Sequence, residues 1–407
     1  MGPRVEVVGD LTSGLGPGFS EDGSHFLLEG RDDDRSWLSY DGKILGRHTW
    51  FHRVVIAPDG SFVTYGAGDA DTHRNVVVHR GTTTEVPNQV TELAVTPDGA
   101  HIAYAYPTKN GEDSAVVLDG TTLAGGRHPR MLTLSRDGKR IGWETTEAKD
   151  GTTKSVRIDG ERGQVYRGTS NMTFSDDGRH VAHIALLGAN GDTAAVVVDG
   201  RRGKASPKIR STLRFTTAGQ IVYEIRRKEG AFVVIGAKEH GPYRYVMNLA
   251  VARDTVAWGA DSLENQRIVA RVLIDGHEAW KSDVGRYSIM DDRAPSVSSL
   301  AIASDNAVAF GSNGMVTLVD AVGARPIGLG EALSFSEDGK RLATLVHENG
   351  ALRIVVAGRD GRALTKDEPR LLEIFTATVR VHADHVSYFA KHLRSGGADL
   401  IRLEQML

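Results

Sequence analysis

Short apolar runs alternate with polar, glycine-rich turns along almost the whole chain, a pattern that predicts strands and not helices. Four residues into such a run, at intervals of roughly forty, stands a large side chain, usually aromatic: Leu28, Tyr65, Tyr104, Trp143, His183, Tyr223, Trp258, Phe310, Thr344 and Tyr388. Each run follows a strand-like stretch ending in Asp-Gly or a worn copy of it: FSEDG, IAPDG, VTPDG, LSRDG, FSDDG, FTTAG, VARD, IASD, FSEDG and VHAD. A second register keeps step with the first. The third strand of each unit closes on an Asp-Gly-like turn at Gly42, Gly81, Gly120, Gly160, Gly200 and Gly276, the first five spaced 39, 39, 40 and 40 residues apart. Glycine accepts positive φ and aspartate bonds nearby amides, so these turns predict tight hairpins.

The unit from Asn171 to Ser206 shows the plan. Met172 to Ser175 reads as one strand, His180 to Leu187 as a second and Thr193 to Val198 as a third, with a polar strand leading out. Four strands in about forty residues is the size of a propeller blade. The third strands Val76-Val77-Val78, Ala115 to Leu118 and Ala195 to Val198 are apolar on both faces, as a sheet covered on both sides requires. The repeated slot then predicts a packing plug between neighbouring blades. The last unit runs out before a fourth strand, while Arg4 to Val8 (RVEVV) is an orphan near the other end, so the two are expected to pair. The fold class expected is therefore all-β: a single large β-propeller over 1–407, of about ten four-stranded blades, with an insertion at 277–298. Two smaller rings, or eight or nine blades, are the alternatives.

The strings FSEDGKRLATL, FSDDGRHVAHI and VTPDGAHIAYA resemble the WD40-like PD40 repeat of the TolB-type β-propellers. Pro58 and Pro97 keep the proline of that repeat; other units replace it. The resemblance implies a propeller and, by analogy, partner binding on its faces more often than catalysis.

Composition narrows the chemistry. Glycine, at 47 of 407 residues, suits a turn-rich fold, and a formal charge of −3 gives no general attraction to nucleic acid or anionic membrane. The absence of cysteine excludes disulfides and thiolate chemistry. No secretory leader and no transmembrane run is seen, so a soluble, cytoplasmic protein is expected.

Each candidate cluster has an ordinary reading. His48, Trp50 and His52 lie on a blade crossover and lack a third ligand for zinc; His382 and His385 fall at a first-to-second turn, on the other face. Asp32, Asp33 and Asp34 with Asp69, Asp71 and His73 are acidic loops that lack the spacing of a calcium loop. The basic stretch Arg201, Arg202, Lys204, Lys208, Arg210, Arg214, and then Arg226, Arg227 and Lys228, could meet phosphate or an acidic partner but reads as a solvated rim. His183 reads as a buried plug. GLGPG at Gly14 to Gly18 is a turn, and no nucleophile elbow, P-loop or HExxH is found. The insertion, carrying His277, Trp280, Arg286, Tyr287 and Arg293, is the candidate binding element, since Trp, Tyr and Arg anchor interfaces.

The function expected is a non-catalytic scaffold docking a protein partner, or else a small ligand, on its loop face or channel, with no cofactor, no metal, no membrane and no nucleic acid. An enzyme assembled at the channel from several blades, a hydrolase or lyase, is the alternative. Carbohydrate recognition between blades is a third reading, weakened by the internal position of the aromatic slot.

Overall fold

The computed structural model describes residues 4–10, 17–32, 34–109, 111, 113–188, 190–210, 212–286, 297–365, 371, 373–394 and 397–407. Among them the regular structure is strand throughout, apart from one 3₁₀ turn at Thr376–Thr378. The chain divides into two compact units: Gly14–Ser20 with Phe26–Arg227, and Met1–Ser13 with Glu21–His25 and Lys228–Leu407.

In the first of these units, antiparallel meanders follow one another at 18–48, 50–86, 92–126, 127–166 and 168–202, each of four strands. The third and fourth share a strand, Thr121–Leu134, whose first half closes one sheet and whose second half opens the next. Strands Lys208–Ile209, Arg214–Phe215 and Ile221–Arg227 begin a further meander. The other unit contains the strands of 230–243, full meanders at 245–286 and 299–329, a three-stranded sheet at 331–358, and a last sheet at 373–406. Into that last sheet comes Arg4–Asp10, antiparallel to Gly397–Met406 with Val5 opposite Leu403 and Val7 opposite Ile401. The predicted pairing of the orphan strand is in place. The fold class is all-β, built from four-stranded blades of the propeller type.

The Asp-Gly turns form as their chemistry dictates. Asp41, Asp119, Asp159, Asp199 and Asp275 have φ between 47° and 54°, and the glycines after them have φ between 75° and 89°. Two successive positive φ values are the signature of the type I′ hairpin. These aspartates also reach across the sheet. Oδ1 of Asp119, Asp159 and Asp199 accepts from the first N–H of the second strand, at Ile102, Ile141 and Val181, each at 2.9 Å. Oδ2 meets the side chain one residue earlier, His101 at 2.7 Å, Arg140 at 3.0 Å and His180 at 2.7 Å.

The first-to-second turns are tied just as tightly. Thr96, Ser135, Ser175 and Ser336 are buried and donate to the aspartate two residues on, at 2.6–2.7 Å. Their oxygens accept in turn from the N–H of His101, Arg140, His180 and Arg341. A glycine follows each aspartate pair for a second reason besides φ: a Cβ on Gly138 would lie 2.2 Å from the His101 ring of the preceding meander. Meander-to-meander contact therefore passes through a bare glycine.

The core lies between sheets, at the predicted slot. Nine of its ten residues are buried and Tyr223 is half-buried. Trp143, Trp258 and Phe310 are fully enclosed. The third strands are buried at Val76 to Val78, Ala115 to Val117 and Ala195 to Val197, on both faces as read from the sequence.

Candidate functional site

The insertion is shorter than the sequence reading made it. His277–Arg286 is the fourth strand of its meander, paired with Arg267–Ile274 from Ile274↔His277 to Arg267↔Arg286. An outermost strand has one solvated face and one partner, so its polar, charged sequence carries no clear period and reads as loop. Of the five candidates, His277 is exposed at the start of this strand. Trp280 is half-buried with its ring 4.8 Å from that of Phe310, so it serves the packing of the next slot. Arg286 ends the strand; at about 3.3 Å per residue, nine residues put it roughly 30 Å from His277. Tyr287 and Arg293 lie outside the described residues. The described members of the set are strung along a strand and do not converge.

The other sequence candidates are consumed locally. Asp69 accepts from Arg35 at 3.2 Å and from the Thr49 N–H at 3.2 Å, and its second oxygen lies 3.1 Å from His48 Nδ1. Asp71 pairs with Arg35 at 2.8 Å, and Asp32 with Arg47 and Trp37. These carboxylates face guanidinium, imidazole, indole and backbone N–H groups, so among the described residues they form no oxygen cage; Asp33 lies outside them. Among the described residues no group of three or more His, Cys, Asp or Glu is placed to hold a metal ion. Arg201, Arg202, Lys204, Lys208, Arg210, Arg214 and Lys228 are exposed, while Arg226 and Arg227, on the strand Ile221–Arg227, are half-buried and depart from the solvated rim expected of the stretch.

Among the described residues, two of the clefts that collect polar side chains have the volume of a small-molecule site, and each lies inside one unit. The first, of about 860 Å³, is framed by Phe335 to Arg341, by 380–387 with Arg402, and by Asp22 and Ser24. His382 and His385 come together here, stacked 4.3 Å apart at 16°. His382 Nε2 lies 3.1 Å from Ser387 Oγ, and His385 Nδ1 lies 2.7 Å from Asp384 Oδ1. Burial, with His385 beside it, holds the His382 imidazole below its ordinary pKa. Arg380 is the unusual member. Its guanidinium donates to the carbonyls of Ala377 and Val379 at 2.8 Å and to that of Glu21, and the charges of Asp22 and Glu21 act on it through space. Burial pulls its pKa down from the usual arginine value. Asp338 is bonded by Ser336 and the Lys340 N–H, and Asp22, bonded by Ser24, also acts on Arg380 through its charge.

The second cleft, of about 800 Å³, runs between the outer strands of the meander at 127–166 and the inner strands of that at 168–202. His183 is part of its wall. The imidazole is 8% exposed, meets the Tyr166 ring edge-on at 6.0 Å, and its Nε2 has no hydrogen-bond partner. Burial lowers its pKa to about 4.

Neither cleft has a local motif. Both draw on residues one repeat apart, and Arg380 was invisible as a candidate because a lone arginine at a strand start carries no signal.

No family model and no curated protein matches the chain. Among solved structures it is similar to one described as the crystal structure of the eukaryotic initiation factor, at 10% identity over 91% of this chain and 90% of that one, with a TM-score of 0.48. It is similar also to the β-propeller domain of the Trilobed protease from Pyrococcus furiosus, described with an open velcro topology (11% identity, 77% and 91% covered, TM-score 0.30). A third is the dihydro-heme d1 dehydrogenase NirN (12% identity, 68% and 67% covered, TM-score 0.35).

Proposed function

We propose that this chain is a non-catalytic β-propeller of the PD40 kind that binds an anionic group, carried by a small molecule or by an acidic segment of a protein partner, in the cleft around Arg380. One observation carries the reading: a half-buried guanidinium whose hydrogen bonds go to main-chain carbonyls. Burying part of a cation is costly even with the charges of Asp22 and Glu21 acting on it, and a carboxylate or phosphate oxygen bound directly adds a strong, charge-assisted bond. Arg341 and Arg402 widen the basic surface that such a group would meet. The volume is that of a small-molecule site.

The test is thermal stability of the intact chain titrated with inorganic phosphate and with succinate. Binding to the folded state raises Tm in a saturable way. The wild type is expected to show that rise with at least one probe, Arg402→Gln a weaker one and Arg380→Gln none. An unchanged rise in Arg380→Gln, or none in the wild type, would refute the assignment.

The hydrolase reading rests on the 3.1 Å contact between Ser387 Oγ and His382 Nε2. Two facts weigh against it. His382 takes the turn position that Ser336 holds one repeat earlier, its N–H bonded to the His385 carbonyl, and Asp384 orients His385 instead of His382. Hydrolysis of p-nitrophenyl acetate that disappears in Ser387→Ala would restore it.

A further inference from the structure

The first strand of each meander is an edge of its sheet, and in the unit of Phe26–Arg227 these edges carry exposed charge of one sign. They are Trp50–Ile56, Glu92–Val95, the second half of Thr121–Leu134, Gly168–Phe174, and the run from Lys208 to Phe215. Among the described residues their exposed charged side chains are Arg53, Arg130, Lys208, Arg210 and Arg214, with no exposed carboxylate. The whole chain holds 52 acids against 49 Lys and Arg, so chance placement gives both signs. Charge guards an open edge against pairing with another chain, but either sign does that. Arg53 is spent on Glu92 at 2.7 Å. Arg130 stands opposite the buried Glu144, which takes the Thr169 hydroxyl, and no ion pair joins the two.

Lys208, Arg210 and Arg214 form a row. Lys208 lies opposite Arg226 and Arg214 opposite Val222, while the Arg210 N–H donates to the Glu224 carbonyl at 3.1 Å. Residues 222, 224 and 226 alternate along one continuous strand, Ile221–Arg227, so they share a face. Their three partners share it too, at steps of about 6.6 Å. Ile209, Leu213 and Phe215 turn the other way and pack with Ala182 and Ile184. Glu224 is the one acid on this face of the two strands; it is half-buried, and the charges of Arg210 and Arg226 act on it. Four cations thus answer one carboxylate. Lys208 opposite Arg226 sets like charges side by side, which costs stability. Folding alone does not account for that pair.

We propose that this row docks an extended, acidic segment of a protein partner, with Asp or Glu at every second residue. The spacing argues for that occupant. An extended chain with alternating acids presents its carboxylates on one face at the same step of about 6.6 Å, so each cation meets one through a charge-assisted bond. A single phosphate or carboxylate spans one step of the row and not all of it. Single-stranded nucleic acid binds by stacking its bases on aromatic rings, and no aromatic side chain is exposed on these first strands among the described residues. The row belongs to a different unit from Arg380 and is independent of the cleft proposed above.

The experiment is fluorescence anisotropy of a labelled peptide of alternating Glu and Ser, titrated with the full chain at low salt. The wild type is expected to bind saturably, and more weakly as salt is raised. The triple variant Lys208→Gln, Arg210→Gln, Arg214→Gln is expected to bind about tenfold more weakly, from three exposed pairs each worth a few-fold. A matched triple at the outer edge of the preceding meander, Arg201→Gln, Arg202→Gln, Lys204→Gln, removes the same charge elsewhere and is expected to bind as the wild type does. All six side chains are exposed, so both variants should keep the native Tm. A peptide with the same acids gathered in one block should bind several-fold more weakly, a readout that needs no variant. No binding by the wild type, equal weakening in the two triples, or equal binding of the block peptide overturns the proposal. Tighter binding of an oligothymidylate of equal charge also overturns it and assigns the row to nucleic acid. Loss of the peptide in Arg380→Gln would put it in the other cleft and overturn the proposal as well.

Discussion

Trp143 and His183 occupy the same slot in adjacent repeats, forty residues apart, and they solve opposite problems. Trp143 is fully enclosed among Ala103, Ala105, Val116, Leu132 and Ile141, and its one polar atom is spent on Gly125. His183 meets the Tyr166 ring and stands opposite Val197 across the sheet, but its Nε2 is buried without a hydrogen bond. The first is what a packing plug looks like when stability alone shapes it. The second gives up part of that stability. The regular repeat thus serves as an internal control: a departure from it can be weighed against a neighbour in nearly the same surroundings.

The contrast can be broken from either side. The largest effect is expected from Trp143→Ala, which opens a cavity and orphans the Gly125 carbonyl; a loss of about 4 kcal/mol by urea unfolding is anticipated. Next comes the pH dependence that His183 imposes. Its folded pKa, about 4, lies below the ordinary 6.5, so the unfolded chain binds the extra proton first as pH falls. Its contribution is therefore intact above pH 6.5 and lost progressively from 6.5 down through 4, reaching about 3 kcal/mol at the acid end. In His183→Phe that part of the acid slope should vanish; an unchanged slope would mean that another group carries it.

Smaller effects test the turns that hold the slots in register. Gly138→Ala meets a φ of 67° and the His101 ring at 2.2 Å, and should cost about 2 kcal/mol. Asp159→Ala removes the acceptor for the Ile141 N–H and for Arg140, and should cost about 1 kcal/mol, discounted because the carboxylate is 42% exposed. Equal losses at Asp159 and at an unlinked surface aspartate would mean that its reach across the sheet adds nothing.

Much of this architecture could be read from the sequence because each repeat states it again. The plug residues, the paired positive φ values at Asp-Gly and the partner of Arg4–Asp10 all follow from local chemistry repeated at a fixed interval. What escaped was whatever depends on two repeats at once. The strand at His277–Arg286 looked like an insertion because an outer strand has little buried face to impose alternation. The cleft at His183 draws its walls from Val156 and Val197, and the one at Arg380 draws on Asp22, far away along the chain; no spacing rule joins such residues. His183 was read as a plug, which it is, but sequence does not show that Nε2 goes unpaired. His382 and His385 were located at a turn, and only the fold brings them against Ser387.

The most direct test of the plug account is an NMR titration of the His183 imidazole in the intact chain, since it is the slot's own titratable reporter. A residue wedged between sheets with nothing to stabilise its charge should stay neutral down to pH 5 and titrate near 4. A midpoint near 6.5 would place the ring in water and contradict the account.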